Sequence, residues 1–536
     1  MKILLFNFFL LAFTLNVSSQ SKNYFVSPKG DDSNSGLSIE TAWTTIDRVN
    51  RTTFLPGDNL LFKSGAVWKG QLRPNGSGQA GNPITIDKYG GEKRPIINHG
   101  DAEGAAIRLV NQSGWVIQNI EVTSGALPIL GIGRQGIVAV VEGEQKEINN
   151  IVVRNCYIHD IWGQLDGDTE FTGYNSAAIF VGRVSSKKTE GRANDVLIEG
   201  NKIERVDKCG IIIRNGVNDI VVRRNFMENL GGDGIFVSGS YKGLIEYNVA
   251  KRTCMRSGDP DLVGAEDFWP HTAAIWIARS NETVIQFNEV YDTGRQKGNG
   301  DGFAYDFDFD AKNCILQYNY SRNNHGFLLI MNKTSENIAR YNISENDKTH
   351  LIQIFGNIED QNLIHNNIFY VDYGTSNIDY HMGGEEIEDK SRLGAIFKNN
   401  IFYANGQGRF NTVYSYGSAL DRRFVENVKE SSTSGEMFFN NWYYGPWKYE
   451  MPNDADAHEG DPLFIRPGSG GIGLSTLGGY KLQLESPAIN SGIEIKDNAK
   501  HDFYGNTIND GAMDIGVYEQ IGSGAFEQKT ANTMDR

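Results

Sequence analysis

Cysteine is scarce: four residues in 536, at positions 156, 209, 254 and 314, with no CxxC pair and no histidine cluster beside them. That argues against a disulfide-stapled scaffold or a zinc site and reads as buried free thiols. Positive charge is in deficit, with 51 Lys and Arg against 66 Asp and Glu and a net charge of −15. Nucleic acid and anionic membrane are therefore not expected as general partners, although one cleft can oppose the total. Long apolar runs are missing as well. After Lys2 comes ILLFNFFLLAFTL and then Val17-Ser18-Ser19, which reads as an export signal over residues 1–19 and is too short for a confident membrane span. No later segment is long and apolar enough to cross a membrane, and no Cys near the cleavage point offers a lipid anchor. The mature protein is expected to be exported, periplasmic or secreted, soluble and monomeric.

Amphipathic helical periodicity is also lacking through the middle of the chain. In its place stands a recurring asparagine between short apolar stretches. It occurs as Asn155 in IVVRNCYI, Asn201 in VLIEGNKI, Asn225 in IVVRRNFM, Asn248 in LIEYNVA, Asn288 in VIQFNEV, Asn319 in ILQYNYS, Asn342 in IARYNIS, Asn366 in LIHNNIF and Asn399 in IFKNNIF. The shortest intervals are 23 or 24 residues, as from 201 to 225 and from 319 to 342. A period in the twenties with two or three short strands per unit is the mark of a solenoid, whereas a propeller needs units of about 40 residues. Apolar side chains on one face of each strand stack inward, and a turn asparagine bonds its copies above and below. The expected fold is all-β, a right-handed parallel β-helix of one domain.

The ends carry a resemblance. YFVSPKGDDSNSG…AWTTIDRVN…FLPGDNLLFKSGAVWKGQL and then NPITIDKYGGEKRPII resemble the entry module of carbohydrate-active parallel β-helix proteins. GYKLQLESPAINSG…DFYG…DGAMDIGVYE resembles their closing segment. The chain is thus similar to secreted bacterial β-helix glycosidases, near the grouping that contains glycoside hydrolase family 141. That likeness implies the fold and a carbohydrate theme, and is weak for reaction type. On this reading residues 20–110 form the N-terminal cap and first coils, 111–435 the core with groove-forming loops, 436–520 the last coils and cap, and 521–536 a polar tail.

Intervals longer than the basic period place insertions at one corner of successive coils. These are TSGALPILGIGRQ, IWGQLDGDTEFTGYNS, RSGDPDLVGAEDFWPH, GRQKGNG and YGTSNIDYHMGGEEIEDKSR. Insertions stacked at one corner wall in a long groove, with the following strand of each coil as its floor. If the residue after the first Gly or Ala of each floor strand points inward, then Arg214, Phe236, Ser238, Trp276, Ala278, Asp306 and Asp308 point outward.

One floor strand is unusual. In Tyr305-Asp306-Phe307-Asp308-Phe309-Asp310, alternation puts three aromatics on one face and three carboxylates on the other. Like charges side by side disfavour a strand, so such a run signals catalysis or a cation. Neighbouring carboxylates on one strand face start about 6.6 Å apart at Cβ. That is compatible with either the retaining or the inverting arrangement of glycoside hydrolysis. Asp306 and Asp308 are the expected catalytic pair, with Asp310 nearer the turn. No metal is expected for a hydrolase, while Asp306, Asp308 and Asp310 would become Ca²⁺ ligands if the chain were a lyase. Substrate-binding candidates are Arg214, Glu266, Trp269, His271, Trp276, Arg279 and His325. The tryptophans offer flat faces for sugar rings, the acid and the histidines can support the carboxylates, and the arginines can pair with a sulfate or carboxylate on the substrate.

The leading expectation is a secreted glycoside hydrolase acting on a polysaccharide or its oligosaccharides, acidic or sulfated, plant or algal, by a two-carboxylate mechanism. One alternative is a Ca²⁺-dependent polysaccharide lyase with Lys208, Arg214 or Lys333 as base. Another is a non-catalytic glycan-binding solenoid, which has no need of three acids on one strand.

Overall fold

The computed structural model describes residues 20–520 apart from 125–132, 144–145, 164–175, 184–190, 216–217, 256–271, 295–301, 356–360, 383–393, 417–422, 426–436, 450, 455 and 509–511. Each complete coil contributes three strands. In one coil these are Ile220–Arg223, Phe226–Leu230 and Ile235–Ser238. Each pairs in parallel with its counterpart one coil earlier, for example Val222 with Ile198, Met227 with Ile203 and Val237 with Ile213. The first strand of every coil joins a 14-stranded sheet, and the other two join a 24-stranded one. Among the described residues the pairing of named strands is parallel throughout except where Arg423–Val425 runs antiparallel to the end of Ile401–Tyr416. The chain is a right-handed parallel β-helix, as expected.

Inward positions stack by register. Ile211, Ile235, Ile275, Tyr305, Leu328 and Ile352 lie one above another and all are buried in a single apolar core. All four cysteines are buried free thiols, and burial pushes Cys156 and Cys314 up to about 12, which keeps them protonated and unreactive. At the N-terminal end the helix Ile46–Asn50 is capped by Thr45 and buries Ile46 and Val49 beside Val26, Trp43 and Phe54 of the same core. Among the described residues no helix is long and apolar enough to cross a membrane.

The asparagines form a continuous ladder. The amide of each donates to the side-chain oxygen of the next, from Asn201 through 225, 248, 288, 319, 342, 367 and 400 to Asn441, at 2.9–3.0 Å. The run ends on the Asp454 carboxylate, which accepts from Asn441 Nδ2 at 2.9 Å. A carboxylate is a fitting terminus, because it has no donor of its own to leave unsatisfied. Three of the expected members are corrected. Asn155, Asn366 and Asn399 each sit one residue ahead of the ladder, with φ of 53°, 51° and 52°. Cys156, Asn367 and Asn400 hold the ladder positions. The residue ahead is left-handed in coil after coil, including Arg224, Tyr247, Phe287, Tyr318 and Tyr341. Each such non-glycine residue costs on the order of 1 kcal/mol, offset by the buried hydrogen bonds that the sharp corner makes possible.

Two further expectations need adjustment. The first four insertions do fall between the second strand and the floor strand of their coils, as the strands on either side of 256–271 show. The last does not. Ile368–Met382 is one continuous strand, so residues 383–393 follow the floor and precede the first strand of the next coil. The closing segment, residues 463–508 and 512–520, lies along the flank of the solenoid. Phe464, Leu477, Tyr480, Ile495, Ile515 and Val517 bury the outer face of second strands that carry Tyr291, Tyr320, Ile343, Tyr370 and Trp442. Glu345 anchors it, accepting from Tyr320 and Tyr480 hydroxyls at 3.0 and 2.7 Å.

Candidate active site

The floor strands carry two outward rows, most of whose members are buried. One runs Phe180, Ile212, Phe236, Trp276, Asp306, Leu329, Gln353, Asp379 in strict register. The other runs Gly182, Arg214, Ser238, Ala278, Asp308. Every outward position expected from the sequence is therefore outward. Asp306 is only 6% exposed, and Asp308 is half-buried and accepts from the Phe309 N–H at 2.7 Å. Tyr305 and Phe307, between and behind the acids, fill the core, which fixes the strand and hence both carboxylates. Alternation does not extend to Asp310. The strand ends at Asp308, and Asp310 turns the chain with a φ of 58°, so the triad of carboxylates on one strand face is a pair. Among the described residues no group of three His, Cys, Asp or Glu is placed to hold a metal.

Trp276 is the register neighbour of Asp306, about 4.8 Å away at Cα. Its ring stacks on Phe236 at 3.7 Å and 16°, giving a flat apolar wall against which a sugar ring can sit. Arg214 shares a row with Asp308 three strands away, about 14 Å, with the small Ser238 and Ala278 between. Arg279 is not brought to the pair: it is exposed at the turn after its floor strand, with a φ of 50°. His325 precedes Gly326, four residues ahead of the Asp306 partner Leu329, and meets the His350 ring at 5.4 Å. Glu266, Trp269 and His271 lie outside the described residues.

Asp233 is an acid that the sequence does not place among the site residues. It stands fully buried at the entry to the strand Ile235–Ser238 and accepts from Cys209 Sγ at 3.5 Å and the Ala273 N–H at 3.2 Å. Burial pushes its carboxyl up to about 7, against the lowering effects of Cys209, Lys208 and the Trp276 indole. A carboxyl that is about half protonated at neutrality next to the Trp276 wall is equipped to donate a hydrogen bond or a proton. The signal for it was present as Gly232-Asp233-Gly234, an acid at the corner just before an inward glycine.

Comparison with known proteins bears on this geometry. The model of the right-handed beta helix region family matches residues 97–259. A lacto-N-biosidase of Bifidobacterium longum subsp. longum is 24% identical over 614 aligned residues, covering 94% of this chain. The resemblance is to a lacto-N-biosidase. The chain spans 37% of that relative's length. The native structure of a family 136 lacto-N-biosidase from Eubacterium ramulus superposes with a TM-score of 0.55 at 24% identity, over 66% of this chain and 64% of that one. Its selenomethionine derivative gives 0.55 at 21% identity, over 73% and 67%. These likenesses agree with the fold seen here.

Proposed function

We propose that this protein is a glycoside hydrolase that cleaves oligosaccharides in the groove over Asp306 and Asp308. The observation that carries the reading is the outward pair Asp306 and Asp308 beside the Trp276–Phe236 wall, on a strand whose intervening aromatics are locked in the core. The similarity to lacto-N-biosidases supports it and suggests oligosaccharides of the lacto-N type as first substrates to try. In the reaction one carboxyl of the pair gives its proton to the glycosidic oxygen as the bond from that oxygen to the anomeric carbon breaks. The other carboxylate attacks that carbon or takes a proton from the water that does. The mechanism requires one acid of the pair to be protonated while the other is ionised. Trp276 holds the ring over the pair. The reading includes export through residues 1–19, action as a monomer and no cofactor.

The test is incubation with lacto-N-type, plant and algal oligosaccharides while reducing ends and unsaturated products are followed together. New reducing ends without unsaturation, lost in both Asp306→Asn and Asp308→Asn, support the reading. A lyase is the second reading, because Lys208 and Arg214 are buried at either end of the floor strand Cys209–Arg214, where they suit a uronate carboxylate. Unsaturated product that disappears with EDTA would replace the hydrolase with the lyase.

A further inference from the structure

Beyond Asp306 the outward row continues through Leu329 to Gln353 and Asp379. Both polar residues are 3% exposed although they point away from the core, since Ile352, Ile354, Ile378 and Tyr380 on either side of them fill it. His350, outward on the same strand as Gln353, places Nδ1 3.3 Å from Asp379 Oδ2. The other oxygen, Oδ1, is buried and has no hydrogen-bond donor among the described residues. A buried carboxylate oxygen without a donor costs on the order of 1–3 kcal/mol or more, so such a group calls for a functional or solvent partner. Among the described residues, the outward positions of this half of the floor, from Phe303 through Asp379, hold Asp306, Asp308, His350, Gln353 and Asp379 and no Lys or Arg. The cations Lys208 and Arg214 belong to the other half.

We infer that Gln353, Asp379 and His350 form a second sugar subsite, which takes an uncharged pyranose ring through a hydroxyl donated to Asp379 Oδ1. The inference rests on the glycosidase reading for its setting and narrows the substrate to one that is neutral at that end. Asp379 lies three strands from Asp306, about 14 Å, so it binds a ring away from the bond that breaks. Gln353, one strand nearer, supplies an amide that can both donate and accept. An anionic sugar is disfavoured there by the negative charge of the Asp379 carboxylate itself.

The experiment is saturation-transfer NMR with N-acetyl-D-glucosamine, D-galactose and D-glucuronate as probes, on wild type, Asp379→Asn, Gln353→Ala and Asp306→Asn, with thermal melts alongside. One of the neutral sugars is expected to bind wild type and Asp306→Asn alike, and to weaken about tenfold or more in Asp379→Asn and Gln353→Ala. Should Asp379→Asn fail to fold, Gln353→Ala and His350→Gln carry the same expectation. Unchanged affinity in those variants, no neutral sugar bound by wild type, or tighter binding of glucuronate would each overturn the subsite. Hydrolysis that needs Asp306 with sugar binding indifferent to Asp379 removes the subsite alone. Sugar binding that needs Asp379 in a protein that hydrolyses no glycan removes the glycosidase reading alone.

Discussion

The asparagine corner and the groove floor are both stacks of register-equivalent positions, one per coil, and they could hardly differ more in content. At the corner one residue type recurs from Asn201 to Asn441, and each amide finds the next at hydrogen-bond distance. On the floor the equivalent positions read Phe180, Ile212, Phe236, Trp276, Asp306, Leu329, Gln353, Asp379. A solenoid's stability is close to a sum of neighbouring interfaces, so a position that serves stability is served best by the same solution in each coil. A position whose residue changes from coil to coil is answering to something outside the coil. Repetition therefore marks the scaffold in this molecule, and departure from repetition marks the groove.

The comparison can be broken most decisively at the acids. Asp306→Asn and Asp308→Asn should each lower kcat/KM by about a thousandfold or more, with melting temperature unchanged or raised because like charges are removed from one strand face. The corner should answer in the opposite currency. Asn288→Ala deletes donors to Asn319 and Ile245 and strands Asn248. It should destabilise by about 2–4 kcal/mol in denaturant titration while a folded fraction keeps its specific activity.

Asp233 belongs to neither extreme and sharpens the contrast through pH. Its carboxyl, raised by burial to about 7 in the fold, is ionised above about pH 4 when the chain unfolds. Between those values the native state holds a proton that the unfolded chain has lost, so stability falls as pH rises through that window and levels off above it. Asp347, raised to about 6, acts in the same direction, so the difference between wild type and Asp233→Asn isolates the first. The melting temperature of Asp233→Asn should fall less from pH 4 to pH 7 than that of wild type. The smallest effect is expected at Arg279, exposed at a turn. Arg279→Ala should leave kcat/KM within about twofold and stability within about 0.5 kcal/mol, and a larger loss would bring that turn into the groove.

Much of the scaffold was readable from spacing. The period of the asparagines implied the coils, and the period of two along a strand implied which of Arg214, Phe236, Trp276, Asp306 and Asp308 look outward. The misreadings are all local. Asn366 and Asn399 read as ladder members because each stands beside a second asparagine, and only the φ of the corner tells the left-handed residue from its bonded neighbour. Asp310 was placed on the strand because alternation alone does not say where a strand stops. Asp233, His350, Gln353 and Asp379 are not marked as site residues because nothing in GGDG, THLIQIF or NIDYHM distinguishes an acid or amide on the floor from one in any turn or strand.

What the sequence determined by itself was therefore periodic: parallel strands, a filled apolar interior, a hydrogen-bonded asparagine edge and the parity of the floor. These are local rules repeated, and repetition amplifies them until they outweigh the noise of any single coil. What only the tertiary structure decided was adjacency across coils. That Trp276 stands beside Asp306, that Asp233 lies against that tryptophan, and that His350 meets Asp379 all depend on how many residues each coil inserts before its floor strand begins. Such contacts join residues tens of positions apart through inter-strand register, and register is settled by the packing of the whole stack.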